Sequence, residues 1–301
     1  MELQISNLTK TYANGVKALN NVSLTIPTGM FGLLGPNGAG KSSLMRTICT
    51  LQDADAGTIM LDDLDMLTHK DEVRKIVGYL PQDFGFYPGV NAVELLNHFA
   101  LLKGIKNNKE RKESVEYLLQ QTNLWDARKR SVSDYSGGMR QRFGIAQALI
   151  GNPKVIIVDE PTAGLDPTER NRFHNLLSEI GLDKIVILST HIVEDIYNLC
   201  PNMAVMSKGE VKLVDKPLSA IEKLKGKIWY SFINKLELEN YKKEFNVISN
   251  HLVEGKLKIN VFADNQPSSQ FSIAEPNLED VYFSNVGSPS SLPEGEALKA
   301  L

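Results

Sequence analysis

The chain has few cysteines and no long apolar run. Cys49 and Cys200 are its two cysteines, and no CxxC pair or mixed His/Cys spacing accompanies them. This usage favours reduced thiols in the core of a cytoplasmic protein over a disulfide framework or a zinc site. No uninterrupted apolar stretch approaches the roughly 18 residues of a membrane span, and the start MELQISNLTK does not resemble a secretory leader. We therefore expect a protein that does not cross a membrane by itself.

An excess of positive charge is also missing. The 33 basic and 36 acidic residues give a formal net charge of -3. Proteins that bind nucleic acid usually carry a basic field that attracts phosphates, so this balance argues against nucleic acid as the main partner. The hydrophobic content of 42% is instead that of a folded globular protein, and 301 residues suffice for one large domain and a small one.

The apolar pattern divides the chain into two folded parts and a tail. In residues 1–225, the runs KVIIVDEP and KIVILSTH lack polar alternation, which is typical of parallel strands covered on both faces. From about residue 90 to 150 apolar residues recur every three or four positions, which predicts a helical insert. Residues 226–283 predict a small α+β appendage, and the Ser-, Pro- and Gly-rich residues 284–301 predict a flexible tail.

One segment carries a phosphate-binding motif. The sequence GPNGAGKS matches G-x-x-x-x-G-K-[ST] between a strand-like and a helix-like run. Its glycines let backbone N–H groups surround phosphate oxygens, while Lys41 reaches the terminal phosphates and Ser42 ligates Mg²⁺. A glycine turn with an incidental lysine is the alternative, which the strand–loop–helix context disfavours. The nucleotide-binding residues predicted here are Gly35, Pro36, Asn37, Gly38, Ala39, Gly40, Lys41, Ser42 and Ser43.

Two further segments suggest ligand chemistry. VIIVDE ends in Asp159 and Glu160, and open α/β sheets bind ligands at the carboxyl ends of their strands. Asp159 would hold Mg²⁺ through water, and Glu160 would polarise the attacking water in phosphoryl transfer.

The stretch YSGGMRQR, residues 135–142, places a hydroxyl and two glycines before a helix. It is either an anion site made of backbone N–H groups or a flexible turn.

These motifs resemble the nucleotide-binding subunit of ATP-binding cassette (ABC) transporters over residues 2 to about 225. The resemblance implies an α/β fold of the P-loop NTPase class, with a mostly parallel central sheet, an N-terminal antiparallel β subdomain and a helical insert. It also implies roles for three residues outside the P-loop. Tyr12 matches the aromatic residue that stacks on adenine. Gln82 matches the glutamine that links Mg²⁺ and the attacking water to the helical insert, and His191 matches the histidine that contacts the γ-phosphate.

The same resemblance implies a second nucleotide-binding subunit, as a homodimer or a heterodimer. Ser136, Gly137 and Gly138 match the signature that contacts ATP held by the P-loop of the other subunit. Asp166 matches the loop that crosses to that subunit. The catalytic set implied for ATP hydrolysis is then Lys41, Gln82, Glu160 and His191, with Ser42, Gln82 and Asp159 as the metal set.

The branch of the family is indicated by two departures and one C-terminal motif. Tyr135 and Met139 stand where Leu and Gln are commonest, and EPNLEDVYF resembles a segment of ABC-2 type exporter ATPases. Such subunits work with a separate membrane-spanning permease at the cytoplasmic face of the cell membrane. The spacing of apolar residues in this motif predicts an amphipathic helix that packs Leu278, Val281 and Tyr282 on the appendage. The aromatic residues of DFGFYPGV would line a groove for the permease or belong to the core.

Two alternatives concern function. A soluble ABC ATPase acting on ribosomes or DNA would usually carry two cassettes or a long coiled-coil insertion, and this sequence has neither. A regulator that binds nucleotide without turnover would be expected to have lost at least one member of the catalytic set.

Overall fold

The computed structural model of the chain describes residues 1–82, 85, 88–162 and 164–287. The strands in this part are β1 (Glu2–Thr11), β2 (Lys17–Pro27), β3 (Gly29–Leu34), β4 (Ala56–Leu61), β5 (Leu64–Asp65), β6 (Val77–Leu80), β7 (Val155–Asp159), β8 (Ile185–Thr190), β9 (Asn202–Ser207), β10 (Glu210–Asp215), β11 (Ile228–Ile233), β12 (Val247–Val253), β13 (Lys256–Phe262) and β14 (Ser272–Ile273). The helices are α1 (Lys41–Ile48), α2 (Lys70–Ile76), α3 (Ala92–Leu102), α4 (Asn108–Gln121), α5 (Gly137–Leu149), α6 (Pro167–Ile180), α7 (Val193–Leu199), α8 (Pro217–Glu222), α9 (Leu238–Glu244) and α10 (Leu278–Val286).

A six-stranded sheet of order β10-β9-β3-β8-β7-β6 forms the centre of the fold. Its neighbouring strands are parallel except for the edge pair β10 and β9. Every residue of β7 and β8 is buried, which explains why their sequences show no polar alternation. The predicted mostly parallel sheet is confirmed. Because β3, β8 and β7 are adjacent, the segments that follow them meet at one edge of the sheet.

A four-stranded antiparallel sheet of order β2-β1-β4-β5 lies beside the central sheet. Buried and accessible positions alternate along much of β1 and β2, as expected for a sheet with one face against a core. Leu3 and Ile5 on β1 belong to the same apolar cluster as Phe31 on β3 and Met45 on α1. The P-loop helix is therefore fixed between the two sheets, and the predicted antiparallel subdomain is confirmed.

Helices α3, α4 and α5 occupy the region expected to be helical. Leu96, Leu119 and Phe143, one from each helix, are fully buried in one cluster with the central sheet. Asparagine side chains cap two of the N-termini, since Asn91 accepts from an amide of α3 and Asn107 from two amides of α4. α5 packs against β6, the strand that precedes Gln82.

The appendage contains a second four-stranded sheet, of order β12-β13-β11-β14, with a small core that includes Phe271. The packing of α10 differs from the prediction. Leu278, Val281 and Tyr282 do not join the appendage core but enter the large cluster of the central sheet, beside Ile196 and Met203. The amphipathic pattern identified the apolar face of α10, but a periodicity does not identify the surface that this face covers.

Two smaller expectations concern the thiols and membrane spans. Cys49 and Cys200 are buried and free, and burial raises the pKa of both thiols, so both remain protonated core residues. Among the helices of the described residues, none combines the length and the apolar character that a membrane crossing requires.

Candidate functional site

The P-loop joins β3 to α1 and leaves the first turn of the helix without a side-chain cap. Gly40 is the N-cap residue of α1 and has a φ of 103°, a left-handed conformation that favours glycine. A Cβ at Gly40 would also lie 2.4 Å from the carbonyl oxygen of Ala18. In contrast to the N-cap residues of α3, α4, α5 and α6, Gly40 has no side chain that could accept a hydrogen bond from the first amides of α1. An anion can therefore bind these amides at the positive end of the helix dipole.

Lys41 folds over the loop that it follows. Its Nζ donates to the carbonyl oxygens of Gly35 at 2.5 Å and of Pro36 at 3.1 Å, and the residue is only 5% exposed. A buried ammonium group is stabilised by hydrogen bonds and by nearby negative charge. The lysine is thus held at the loop where the motif predicts phosphate.

Ser42 and Asp159 provide a pair of hard oxygen donors. Ser42 Oγ donates to Asp159 Oδ2 at 3.3 Å, which joins the start of α1 to the end of β7. Burial raises the pKa of Asp159, because the carboxylate loses water. Within the described residues no group of three His, Cys, Asp or Glu side chains forms a metal cluster. The arrangement suits Mg²⁺, which binds hydroxyl and carboxylate oxygens, keeps several waters and compensates a buried negative charge.

Glu160 receives hydrogen bonds from two other predicted residues. Gln82 Nε2 donates to Glu160 Oε2 at 3.2 Å, and His191 Nδ1 lies 3.2 Å from Glu160 Oε1. The Glu160 backbone has a φ of 47°, which is uncommon for a residue with a side chain, and its N–H donates to Ser189 O at 2.8 Å. The strained turn thus aims the carboxylate at the ends of β6 and β8, where Gln82 and His191 follow.

The charge states of this pair follow from their contact. The hydrogen bond from His191 lowers the pKa of Glu160 despite partial burial, and the same hydrogen bond raises the pKa of His191. A carboxylate only accepts, so the proton at His191 Nδ1 points at Glu160. Glu160 is therefore ionised near neutral pH, as a general base for water requires.

Ser136 lies at the N-terminus of α5. Its Oγ accepts a hydrogen bond from the N–H of Met139 at 3.3 Å, so the serine caps the helix. Gly137 is exposed, whereas a Cβ at Gly138 would lie 2.3 Å from a carboxylate oxygen of Glu169. Asp166 is exposed and caps α6. In the described part of the chain no hydrogen bond connects Ser136 or Asp166 to the P-loop.

Tyr135 has a structural position next to this segment. Its ring is buried and packs edge-on against Phe143 at 6.3 Å between ring centroids, and its hydroxyl donates to Ala127 O at 2.9 Å. The tyrosine that replaces the commoner leucine therefore adds a hydrogen bond to the core of the helical insert.

Tyr12 lies beside the first turn of α1. Its hydroxyl is 3.0 Å from Ser43 Oγ and donates to Gln52 Oε1 at 3.0 Å. The ring is half-buried. Sequence reasoning missed Gln52, which belongs to no motif.

A buried ionic network was also missed. The Asp195 carboxylate is fully buried and accepts from Thr162 Oγ1 at 2.6 Å, from Arg170 Nε at 2.8 Å and from His174 Nε2 at 2.9 Å. The network ties the segment after Glu160 to α6 and to α7, the helix after His191. Its members have no common spacing, so the sequence offered no signal. His174 matches no motif, and its buried ring has a structural role in this network.

Comparisons with known proteins agree with this geometry. The family described as ABC transporter matches residues 19–163. The ABC transporter ATP-binding protein NatA of Bacillus subtilis is 38% identical over 199 residues, which cover 65% of this chain and 80% of that protein. The daunorubicin/doxorubicin resistance ATP-binding protein DrrA of Streptomyces peucetius is 27% identical over 316 residues, which cover 96% of this chain and 93% of that protein.

A solved structure shows the same architecture. It is a dimeric, post-hydrolysis state of an ATP-binding cassette bound to ADP and phosphate, with a TM-score of 0.64 and 28% identity over 71% of this chain and 98% of that chain. A P-loop, a carboxylate-tipped strand and a histidine after the adjacent strand occur here on the same fold. The chain therefore belongs to the ATP-binding subunits of ABC transporters and is an ATPase of that family.

Proposed function

We propose that this subunit uses ATP hydrolysis at Glu160 to drive export through a separate membrane-spanning subunit, at the cytoplasmic face of the cell membrane. The observation that carries the proposal is the contact of Gln82 and His191 with the Glu160 carboxylate, at the edge of the sheet that also holds the P-loop. The name of the Streptomyces relative, a drug-resistance ATP-binding protein matched over 96% of this chain, supports export.

Glu160 acts as the general base in this proposal. Its carboxylate is ionised near neutral pH, and the hydrogen bond from His191, which lowers its pKa, favours this charged form further. It can accept a proton from water while the N–H of Gln82 and the ring of His191 fix its orientation. Since His191 Nδ1 faces Glu160, its Nε2 is the nitrogen that remains to contact the γ-phosphate.

The triphosphate is bound by the amides at the N-terminus of α1 and by the side chain of Lys41. Moving the Lys41 ammonium from the carbonyls of Gly35 and Pro36 to phosphate oxygens replaces neutral acceptors by charged ones, which form stronger hydrogen bonds. Ser42 and Asp159 would hold Mg²⁺ with water, together with Gln82, and the ion would supply positive charge to the phosphates.

A second nucleotide-binding subunit would complete the site. Ser136 Oγ accepts from Met139, which leaves its O–H proton to donate to a phosphate, and the N-terminus of α5 has a positive dipole end. Because these groups make no hydrogen bond to the P-loop of their own chain in the described residues, a neighbouring subunit's nucleotide is the ligand that suits them. The dimeric relative supports this arrangement, and Asp166 on the exposed surface would contribute to the interface.

The membrane subunit would dock at a groove between the central sheet and the helical insert. The groove has a volume of about 340 Å³, and its lining includes Leu51, Tyr79, Phe99 and Leu102. Leu51 is 62% and Leu102 is 71% exposed, although both are large apolar side chains. An amphipathic helix that ends a membrane-spanning segment would cover them. The aromatic residues first considered for this role, Phe84, Phe86 and Tyr87, lie outside the described residues.

Steady-state ATPase activity and ATP binding test the proposal together. Glu160→Gln keeps the size of the side chain and removes the base, so we expect kcat to fall by about 100-fold or more with ATP binding retained. Lys41→Ala should remove ATP binding at micromolar concentrations. Glu179→Gln, the same substitution on the exposed face of α6, is the control and should match the wild type. Wild-type turnover in Glu160→Gln would exclude Glu160 as the base.

A further inference from the structure

The amide of Gln52 can adopt only one orientation. Its Nε2 lies 2.9 Å from the backbone carbonyl of Ser43 and 2.9 Å from Thr47 Oγ1. A carbonyl only accepts, so the nitrogen must face Ser43 O and the amide oxygen must face the other way. Thr47 Oγ1 itself donates to Ser43 O at 2.8 Å, which leaves it free to accept from Gln52. Both N–H groups of the Gln52 amide are therefore satisfied by α1.

This orientation determines the protons around Tyr12. Gln52 Oε1 accepts the phenolic proton of Tyr12 at 3.0 Å. Tyr12 has no second proton, so in the 3.0 Å contact with Ser43 the Oγ of Ser43 donates to the phenolic oxygen. The phenol is thus held by one donor and one acceptor. The donor is Ser43, in the first turn of the P-loop helix, and the acceptor is Gln52, in the segment that follows this helix.

We propose that Gln52 is a positioning residue for the nucleotide base, because it fixes the Tyr12 ring as a preformed platform beside the P-loop. The inference rests on the proposed function, in which Tyr12 stacks on adenine. A side chain already held in its binding rotamer loses less conformational entropy when the base arrives. Gln52 would therefore increase the affinity for ATP without contacting it.

The arrangement predicts which part of the nucleotide depends on Gln52. Tyr12 can stack on a base, whereas the phosphates bind the loop amides and Lys41. Removing the tether should weaken binding of ATP and leave inorganic tripolyphosphate, which has the phosphates without the base, almost unaffected. A general support of α1 would instead affect both ligands.

Three variants of the full-length chain test the inference. Gln52→Leu removes the amide, Tyr12→Phe keeps the ring and removes the hydroxyl, and the double variant combines them. Each should raise the KM for ATP about threefold to tenfold, the loss expected for one or two neutral hydrogen bonds, with kcat within about twofold of wild type. The double variant should be no worse than the poorer single variant, because both substitutions break the same tether. Gln120→Leu, on an exposed position of α4, is the matched control.

The inhibition constant of tripolyphosphate, measured against ATP hydrolysis, separates the explanations. An unchanged constant in Gln52→Leu together with a raised KM for ATP supports the platform. Equal weakening of both ligands, or wild-type KM values in Gln52→Leu and Tyr12→Phe, would overturn it. A wild-type protein whose ATPase activity does not depend on Lys41 would refute the proposed function, and this inference with it, before any Gln52 variant is compared.

Discussion

Replacing Asp195 by alanine should destabilise the cassette more than most single substitutions. Asp195 is fully buried, and its removal leaves Thr162, Arg170 and His174 without their common acceptor. Deleting one partner of a buried ion pair costs about 3–5 kcal/mol. The Arg170 side chain is 24% exposed, so water can solvate part of its guanidinium group, and we expect a loss near the lower limit, about 3 kcal/mol.

Thermal unfolding measures this loss directly. With an unfolding entropy of about 2.1 cal/mol/K per residue over 301 residues, about 3 kcal/mol corresponds to a fall in Tm of roughly 5 °C. Asp195→Asn keeps the shape and one acceptor oxygen and should fall between alanine and wild type. Glu194→Ala is the matched control, because Glu194 is adjacent, 72% exposed and 3.8 Å from the same arginine. Exposed pairs contribute less than about 1 kcal/mol.

The pH dependence has a definite sign. Burial raises the pKa of Asp195, but the hydrogen bonds from His174, Thr162 and Arg170 together outweigh it, so the pKa lies below its usual value of 3.8. A lowered folded-state pKa means that the contribution of Asp195 is complete above the unfolded value and is lost as the pH falls through the folded value. The Tm difference between wild type and Asp195→Ala should therefore be largest near neutral pH and shrink below about pH 4. A Tm of Asp195→Ala within 1 °C of the wild-type Tm at pH 7 would refute this account.

Two further predictions concern partners. Mixing Ser136→Arg protein with Lys41→Ala protein can form a dimer in which one composite site carries both defects and the other carries neither. ATPase activity should therefore recover in part. No recovery at any mixing ratio would argue against a site shared between two subunits. Leu51→Asp and Leu102→Asp should each reduce co-purification with the membrane subunit about tenfold or more while the isolated ATPase activity is kept, because a charge replaces apolar contact area. Leu182→Asp, at a residue that is 84% exposed and outside the groove, should bind normally.

The sequence predicted what contiguous residues can encode. The P-loop, the strand ending in Asp159 and the signature stretch are local patterns, and the parallel sheet then brings Gln82, Glu160 and His191 together because the carboxyl ends of β6, β7 and β8 are neighbours. The chemical roles assigned to these residues remain predictions that the variants above test.

Contacts between distant segments were not predictable in this way. Thr162 and Asp195 are joined only because the segments that follow the neighbouring strands β7 and β8 come together, and Gln52 meets Tyr12 only because the end of β1 lies beside the P-loop helix. Polar residues such as these carry no periodicity, and a single glutamine in a loop has no signal of its own. Their roles become visible when each donor and acceptor is paired in three dimensions.

The position of α10 has a consequence for how the protein can be divided. A cut near residue 225 follows the change in sequence pattern, yet it would remove Leu278, Val281 and Tyr282 from the cluster that contains Ile196 and Met203. The side chains of Ile196 and Met203 would then face water on the surface of α7 and β9. An exposed apolar patch of this kind promotes aggregation. α10 also contacts α7, the helix that begins just after His191. Through α10, the appendage therefore covers the part of the ATPase that follows His191. A protein shortened at residue 225 would lose this packing together with the appendage.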